Sequence, residues 1–124
     1  MKPGERTKKR AKRPGRGKPE RYIQPSLLRA LLGQDAYGYE LLKVIPDYGF
    51  VPDDVPPGMI YRHLRQMEDE GLLESAWQTE DSGPAKRIYR ITDKGRQALA
   101  DWVAHMEAMA QRLGRFIRDY KKMA

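Results

Sequence analysis

The sequence predicts a mainly α fold with one small β-hairpin, and three observations carry that expectation. Residues 57–70 place apolar side chains at helical spacing between Pro57 at the start and Gly71 at the stop. Residues 72–78 and 86–91 flank a tight polar turn, Asp81-Ser82-Gly83-Pro84, and read as strand, turn, strand. From Leu99 onward the apolar residues step by three and four along one helix that runs to Lys122. Helix, strand, turn and strand, followed by a long helix, is the order of a winged helix-turn-helix with a C-terminal dimerisation helix. The chain then divides into a basic, disordered N-terminal arm at 1–21, a winged helix-turn-helix DNA-binding domain over 22–92 and a dimerisation helix over 93–124.

The arm holds ten Lys and Arg against two Glu, with three prolines, three glycines and only Met1 and Ala11 as apolar residues. It cannot bury enough surface to fold alone. It reads either as an arm that binds phosphates or enters an adjacent minor groove, or as a solubilising tail. Of 24 basic and 17 acidic residues in the chain, 14 and 15 lie outside the arm, so the body is near neutral and the net charge of +7 comes from the arm. Attraction of the body for DNA therefore needs a local patch.

Ser26 is expected to cap a first helix over 27–32, with Leu27, Leu28, Leu31 and Leu32 as its apolar face. Gly33-Gln34 ends it and Asp35 caps the next. That second helix carries Tyr37, Leu41, Leu42, Val44 and Ile45 until Pro46 kinks or ends it. Residues 47–56 read as a loop, and Asp53-Asp54 within it as solvated or capping residues, since no acidic or histidine partner stands at metal-ligand spacing.

Along 57–70, Ile60, Leu64 and Met67 share one side and face a core, which points Tyr61, Arg62, Arg65 and Gln66 away from it. Pro57 suits the first helical position, and the free N–H groups of that turn favour phosphate. A plain solvated face is the competing reading. Against it, Glu68, Asp69 and Glu70 gather at the far end while the cations sit nearer the start. In the hairpin, Lys86, Arg87 and Arg90 alternate with Ile88, Tyr89 and Ile91, a pattern that can lie along a phosphate backbone.

Thr92 is expected to cap the last helix, with Asp93 in its first turn. Leu99, Trp102, Met106, Met109, Leu113, Phe116 and Tyr120 form a heptad seam, widened by Val103, Ala110 and Ile117, which calls for a partner helix. Gly114 weakens it locally, by ~1 kcal/mol relative to Ala. Trp102, Met106 and Met109 read either as core stripe or as a site where paired Trp rings stack on a planar ligand.

An enzyme finds little support. There is no cysteine, the serines are Ser26, Ser75 and Ser82, and His63 and His105 sit on different helices without an evident carboxylate partner. No cofactor motif, metal-ligand cluster, signal segment or membrane-length apolar run occurs, which places the protein in the cytoplasm. A winged-helix module for protein partners or RNA is the alternative class.

At this point the residues resemble the PadR-type transcription regulators. The similar run is Gly58-Met59-Ile60-Tyr61-Arg62-His63-Leu64, then Met67-Glu68, Gly71-Leu72-Leu73, Ser75-Ala76-Trp77 and Gly83-Pro84. It continues through Arg87-Ile88-Tyr89-Arg90-Ile91-Thr92-Asp93-Lys94-Gly95, with Tyr37-Gly38-Tyr39-Glu40-Leu41-Leu42 upstream. The resemblance spans 25–102. It implies a dimeric winged-helix repressor of a near-palindromic operator, often released by a small molecule, with some members binding aromatic effectors between such helices. Tyr39 resembles the position at which the family touches a phosphate; an ordinary buried ring is the other reading. The expected DNA contacts are Tyr39, Gly58, Met59, Tyr61, Arg62, Arg65, Lys86 and Arg87, and the effector contacts Trp102 and Met106. Pro46 and the long basic N-terminus depart from the family pattern.

Overall fold

The computed structural model describes residues 19–79 and 83–124, and the winged helix-turn-helix with its long last helix is what it shows. Of the expected arm, residues 1–18 lie outside the described residues. Its last three belong to a 3-10 turn, Pro19–Tyr22, because the Tyr22 ring packs on Phe50 and Trp102 at 4.9 and 5.8 Å.

Helix α1, Ile23–Gly33, starts a turn earlier than Ser26, which is buried inside it and caps nothing. Ile23, fully buried with Leu27, Leu28 and Leu31, extends the apolar face backwards, and Pro25 is tolerated because first-turn N–H groups lack helical partners. Leu32 falls off that face and is exposed.

Asp35 does not cap the next helix either. Ala36–Tyr37 forms a short strand, β1, so Tyr37 precedes helix α2, Gly38–Val44, rather than lying in it. The Tyr37 N–H donates to the Glu40 carboxylate at 2.8 Å and closes the helix start, while Asp35 accepts from Arg90 Nε at 3.3 Å. Helix α2 ends where Pro46 requires, passing into a 3-10 turn, Ile45–Tyr48, and then Gly49 at φ 89°.

Helix α3, Pro57–Asp69, begins at its proline and buries Ile60, Leu64 and Met67 as their spacing dictates. Gly71 takes φ 81°, and the Leu72 and Gly71 N–H groups donate to the Met67 and Glu68 carbonyls at 2.9 and 3.0 Å. This is the left-handed Gly stop read from the sequence.

Strands β2, Leu73–Gln78, and β3, Lys86–Ile91, pair antiparallel from Leu73↔Ile91 to Gln78↔Lys86. Strand β1 pairs with the other edge of β3, Tyr37 opposite Ile88, so the expected hairpin is two-thirds of a three-stranded sheet ordered β1-β3-β2. Tyr89, Ile91 and Leu73 turn inward to the helices. Each fully buried aliphatic side chain of this core contributes about 1.5–3 kcal/mol.

Helix α4, Asp93–Met123, is capped as expected, with the Gly95 N–H donating to Thr92 Oγ1 at 3.0 Å. The same hydroxyl donates to the Gly71 carbonyl at 2.7 Å, the Thr92 N–H reaches the Leu72 carbonyl at 3.2 Å, and Lys94 Nζ donates to the Glu70 carbonyl at 2.8 Å. The end of α3 and the start of α4 are thereby stapled together. Leu99 is buried and Trp102, Met106 and Met109 partly so, whereas Leu113, Phe116, Ile117 and Tyr120 are exposed. Among the described residues no helix is long and apolar enough to cross a membrane.

Candidate nucleic-acid interface

The face of α3 opposite its buried stripe carries Arg62, Arg65 and Gln66, all exposed. Gly58 stands open in the first turn, and Met59 packs half-buried against the core. Tyr61 departs from the helical-wheel expectation. Its ring is partly buried against Gly38 of α2, where the absence of a Cβ admits it.

Arg62 already holds a partner. Its Nη2 donates to Glu20 Oε1 at 2.7 Å, and the same oxygen lies 3.0 Å from His63 Nε2. Gln24 Nε2 sits 3.2 Å from His63 Nδ1, so the imidazole bridges Gln24 and Glu20. The hydrogen bond from His63, with that from Arg62, holds the Glu20 carboxyl below its ordinary 4.5 against a partial desolvation. Sequence reasoning missed Glu20, because it stands at the end of a tract whose evident property is positive charge.

Burial raises the Tyr89 phenol above its ordinary 10.0, Arg87 and Arg65 work against that, and Glu68 and Tyr61 add to it. The phenol is buried on the inner face of the sheet. Arg87 lies on this inner face of the sheet, its guanidinium 4.6 Å from the Trp77 ring centroid and 3.7 Å from Glu68, which also accepts the Ser75 hydroxyl at 2.6 Å. Arg87 thus ties the wing to α3.

Lys86 is on the other face. Its Nζ sits 5.7 and 5.5 Å from the ring centroids of Tyr37 and Tyr39, which stack at 5.7 Å with 6° between planes. Tyr39 is 45% exposed, which removes the buried-ring reading. Lys43 Nζ lies 5.8 Å from the same ring. The predicted set therefore divides in two: an α3 face of Gly58, Met59, Tyr61, Arg62 and Arg65 backed by Arg87, and a patch of Tyr39 and Lys86 beside it.

Near α4, Met106 lines an apolar cavity of 220 Å³ with Leu99, Val103, Phe50, Tyr48 and Arg29. Trp102 lines a different, open depression with Ala98, Asp101 and His105. Among the described residues, the two expected effector contacts line different cavities. Among the described residues no group of three or more His, Cys, Asp or Glu could hold a metal ion.

Known proteins share this fold. The family model described as "Transcriptional regulator PadR-like family" matches residues 27–101. The chain is 31% identical over 89 residues to the transcriptional regulator Rv3488 of Mycobacterium tuberculosis, covering 72% of this chain and 79% of that protein. It superposes on a PadR family transcription regulator from Clostridium difficile R20291 with a TM-score of 0.68 at 25% identity, over 77% of this chain and 98% of that one. Bacillus subtilis PadR in complex with operator DNA gives a TM-score of 0.59 at 25% identity, over 67% of this chain and 47% of that one.

Proposed function

The chain belongs to the PadR-like family of transcriptional regulators, and on that premise we propose that it is a homodimeric repressor of a near-palindromic DNA operator, acting in the cytoplasm. The observation that carries this reading is the face of α3. It is exposed at Arg65 and Gln66, cationic, flanked by the Lys86–Tyr39 patch and anchored from behind by Ile60, Leu64 and Met67. A helix so presented enters a major groove, its long polar side chains reaching base edges while the wing and Tyr39 take phosphates. The crystal complex of Bacillus subtilis PadR with operator DNA supports the same use of the fold.

The second copy comes from α4. At about 1.5 Å per residue the helix is a rod of some 45 Å, and its buried residues, Gly95 and Leu99, lie near its start. Its far half exposes Leu113, Phe116, Ile117 and Tyr120, which a partner helix would cover. Pairing there sets two α3 helices on successive major grooves, about 34 Å apart. A small aromatic or hydrophobic effector suits the Met106-lined cavity between α1 and α4. At 220 Å³ it lies below the ~300 Å³ of ordinary ligand sites, so the partner helix with its Trp102 would complete it.

Genomic footprinting followed by binding of the purified protein tests this reading. The recovered sites should be near-palindromic and bound at least ~10³-fold tighter than mixed-sequence duplex at physiological salt. Arg65→Ala should weaken operator binding by about 1–3 kcal/mol while leaving the melting temperature unchanged. A monomer in sedimentation, or equal affinity for every duplex, overturns it.

A further inference from the structure

The stacked pair of Tyr37 and Tyr39 joins three elements. Tyr37 pairs with Ile88 in the sheet, and its hydroxyl reaches past β3 to donate to Gln78 Oε1 at 2.7 Å. Gln78 is the cross-strand partner of Lys86. Lys86 is thus framed by two rings and by the strand opposite, while Lys43 comes to Tyr39 from α2. Gly38, between the two tyrosines, carries the Tyr61 ring of α3, so the patch adjoins the groove-facing helix.

Two ammonium groups from separate elements around one half-exposed phenol suit the charge and hydrogen-bonding capacity of a phosphodiester. A free lysine gives up much of its rotamer freedom when it grips a phosphate. One already held over two rings has less to lose. We propose that Lys43, Tyr39 and Lys86 form one phosphodiester clamp shared by α2 and the wing, and that Tyr37 is the positioning residue that holds it together. The inference rests on the DNA-binding reading above and adds Lys43, Tyr37 and Gln78 to it. Tyr37 acts without touching DNA: its ring underlies Lys86 and its hydroxyl ties β1 to the wing.

The test is affinity for a mixed-sequence duplex across a salt series, because a phosphate contact acts on any sequence. Lys43→Gln and Lys86→Gln should each weaken binding uniformly and lower the slope of log K against log salt by about 0.9. Tyr37→Leu should lose the Lys86 share of the slope, so that adding Lys86→Gln to it changes little. Tyr37→Phe keeps the ring, removes only the Gln78 tie and should show part of that effect at an unchanged melting temperature. Wild-type slopes in Lys43→Gln and in both Tyr37 variants, or strict additivity with Lys86→Gln, would overturn the clamp. If Arg65→Ala still weakens operator binding in that case, the clamp alone is wrong. If the wild-type protein binds no duplex, both readings fall.

Discussion

The ring of Tyr61 rests on the bare α-carbon of Gly38: a methyl group there would stand 2.6 Å from its Cε1 and 2.9 Å from its hydroxyl oxygen. A residue of α3 is thus placed by the helix before it. Gly38→Ala should push the phenol outward. The obstacle is the far end of a side chain, so the fold should survive with a loss of about 1–3 kcal/mol. Operator affinity should fall beyond what that loss explains, measured on protein shown to be fully folded. Unchanged affinity would mean that Tyr61 works from any orientation.

In the proposed complex Glu20 would compete with DNA for Arg62. Its carboxylate occupies the guanidinium at 2.7 Å and sets a negative charge beside the α3 face. Glu20→Gln should tighten binding to any duplex and steepen its salt dependence, by up to the ~0.9 of one added phosphate contact. The acid side follows from linkage. The folded carboxyl titrates below 4.5, so its contribution to stability is complete above that value and is lost as pH falls through the lowered one. Glu20→Gln should flatten the stability profile in that acid window and lower it by a constant amount above the window, neutrality included. A profile identical to wild type would remove the interaction from solution behaviour.

The exposed half of the α4 seam separates assembly from folding. Phe116 is 75% exposed and Leu113 57%, so charging them disturbs no core contact within the chain. Leu113→Lys with Phe116→Lys should give monomers in sedimentation, with the near-ultraviolet signature of the winged domain retained. Operator affinity should drop steeply because each half-site must then be bound independently. A dimer that persists would place the interface elsewhere.

Gly95 is a test of close packing. A Cβ on it would run into the Leu72 carbonyl and Ile91 Cγ1, both parts of the fixed frame between α3 and α4. Gly95→Ala should therefore destabilise by about 1–3 kcal/mol, despite the usual gain of Ala over Gly inside a helix. Chemical denaturation reads this directly, and a stabilised protein would show that the two elements can shift apart.

What the chain discloses before folding depends on how local the cause is. Pro57 and Gly71 bound α3 where expected, since a fixed φ and a left-handed φ are properties of the residues themselves. Thr92 caps α4 for the same kind of reason. Ser26 and Asp35 carry the side chains of caps yet serve otherwise, because burial of Ile23 lengthens α1 and Arg90 claims Asp35. Strand β1 is two residues whose partners lie some fifty positions onward, beyond any periodicity. At the interface, Arg65 and Lys86 follow from spacing and alternation. Tyr61, Glu20 and the Tyr37–Tyr39 stack do not, because each is decided by a neighbour distant in sequence.

The staple of Thr92 and Lys94 on the closing turn of α3 makes the junction a stiff elbow. Whatever swings one arm swings the other. In the proposed dimer, a slight splay of the rods would become a larger change in the span between the two α3 helices, as with the tips of calipers. Grip on an operator would then be governed by a hinge angle, with no alteration to the α3 surfaces themselves.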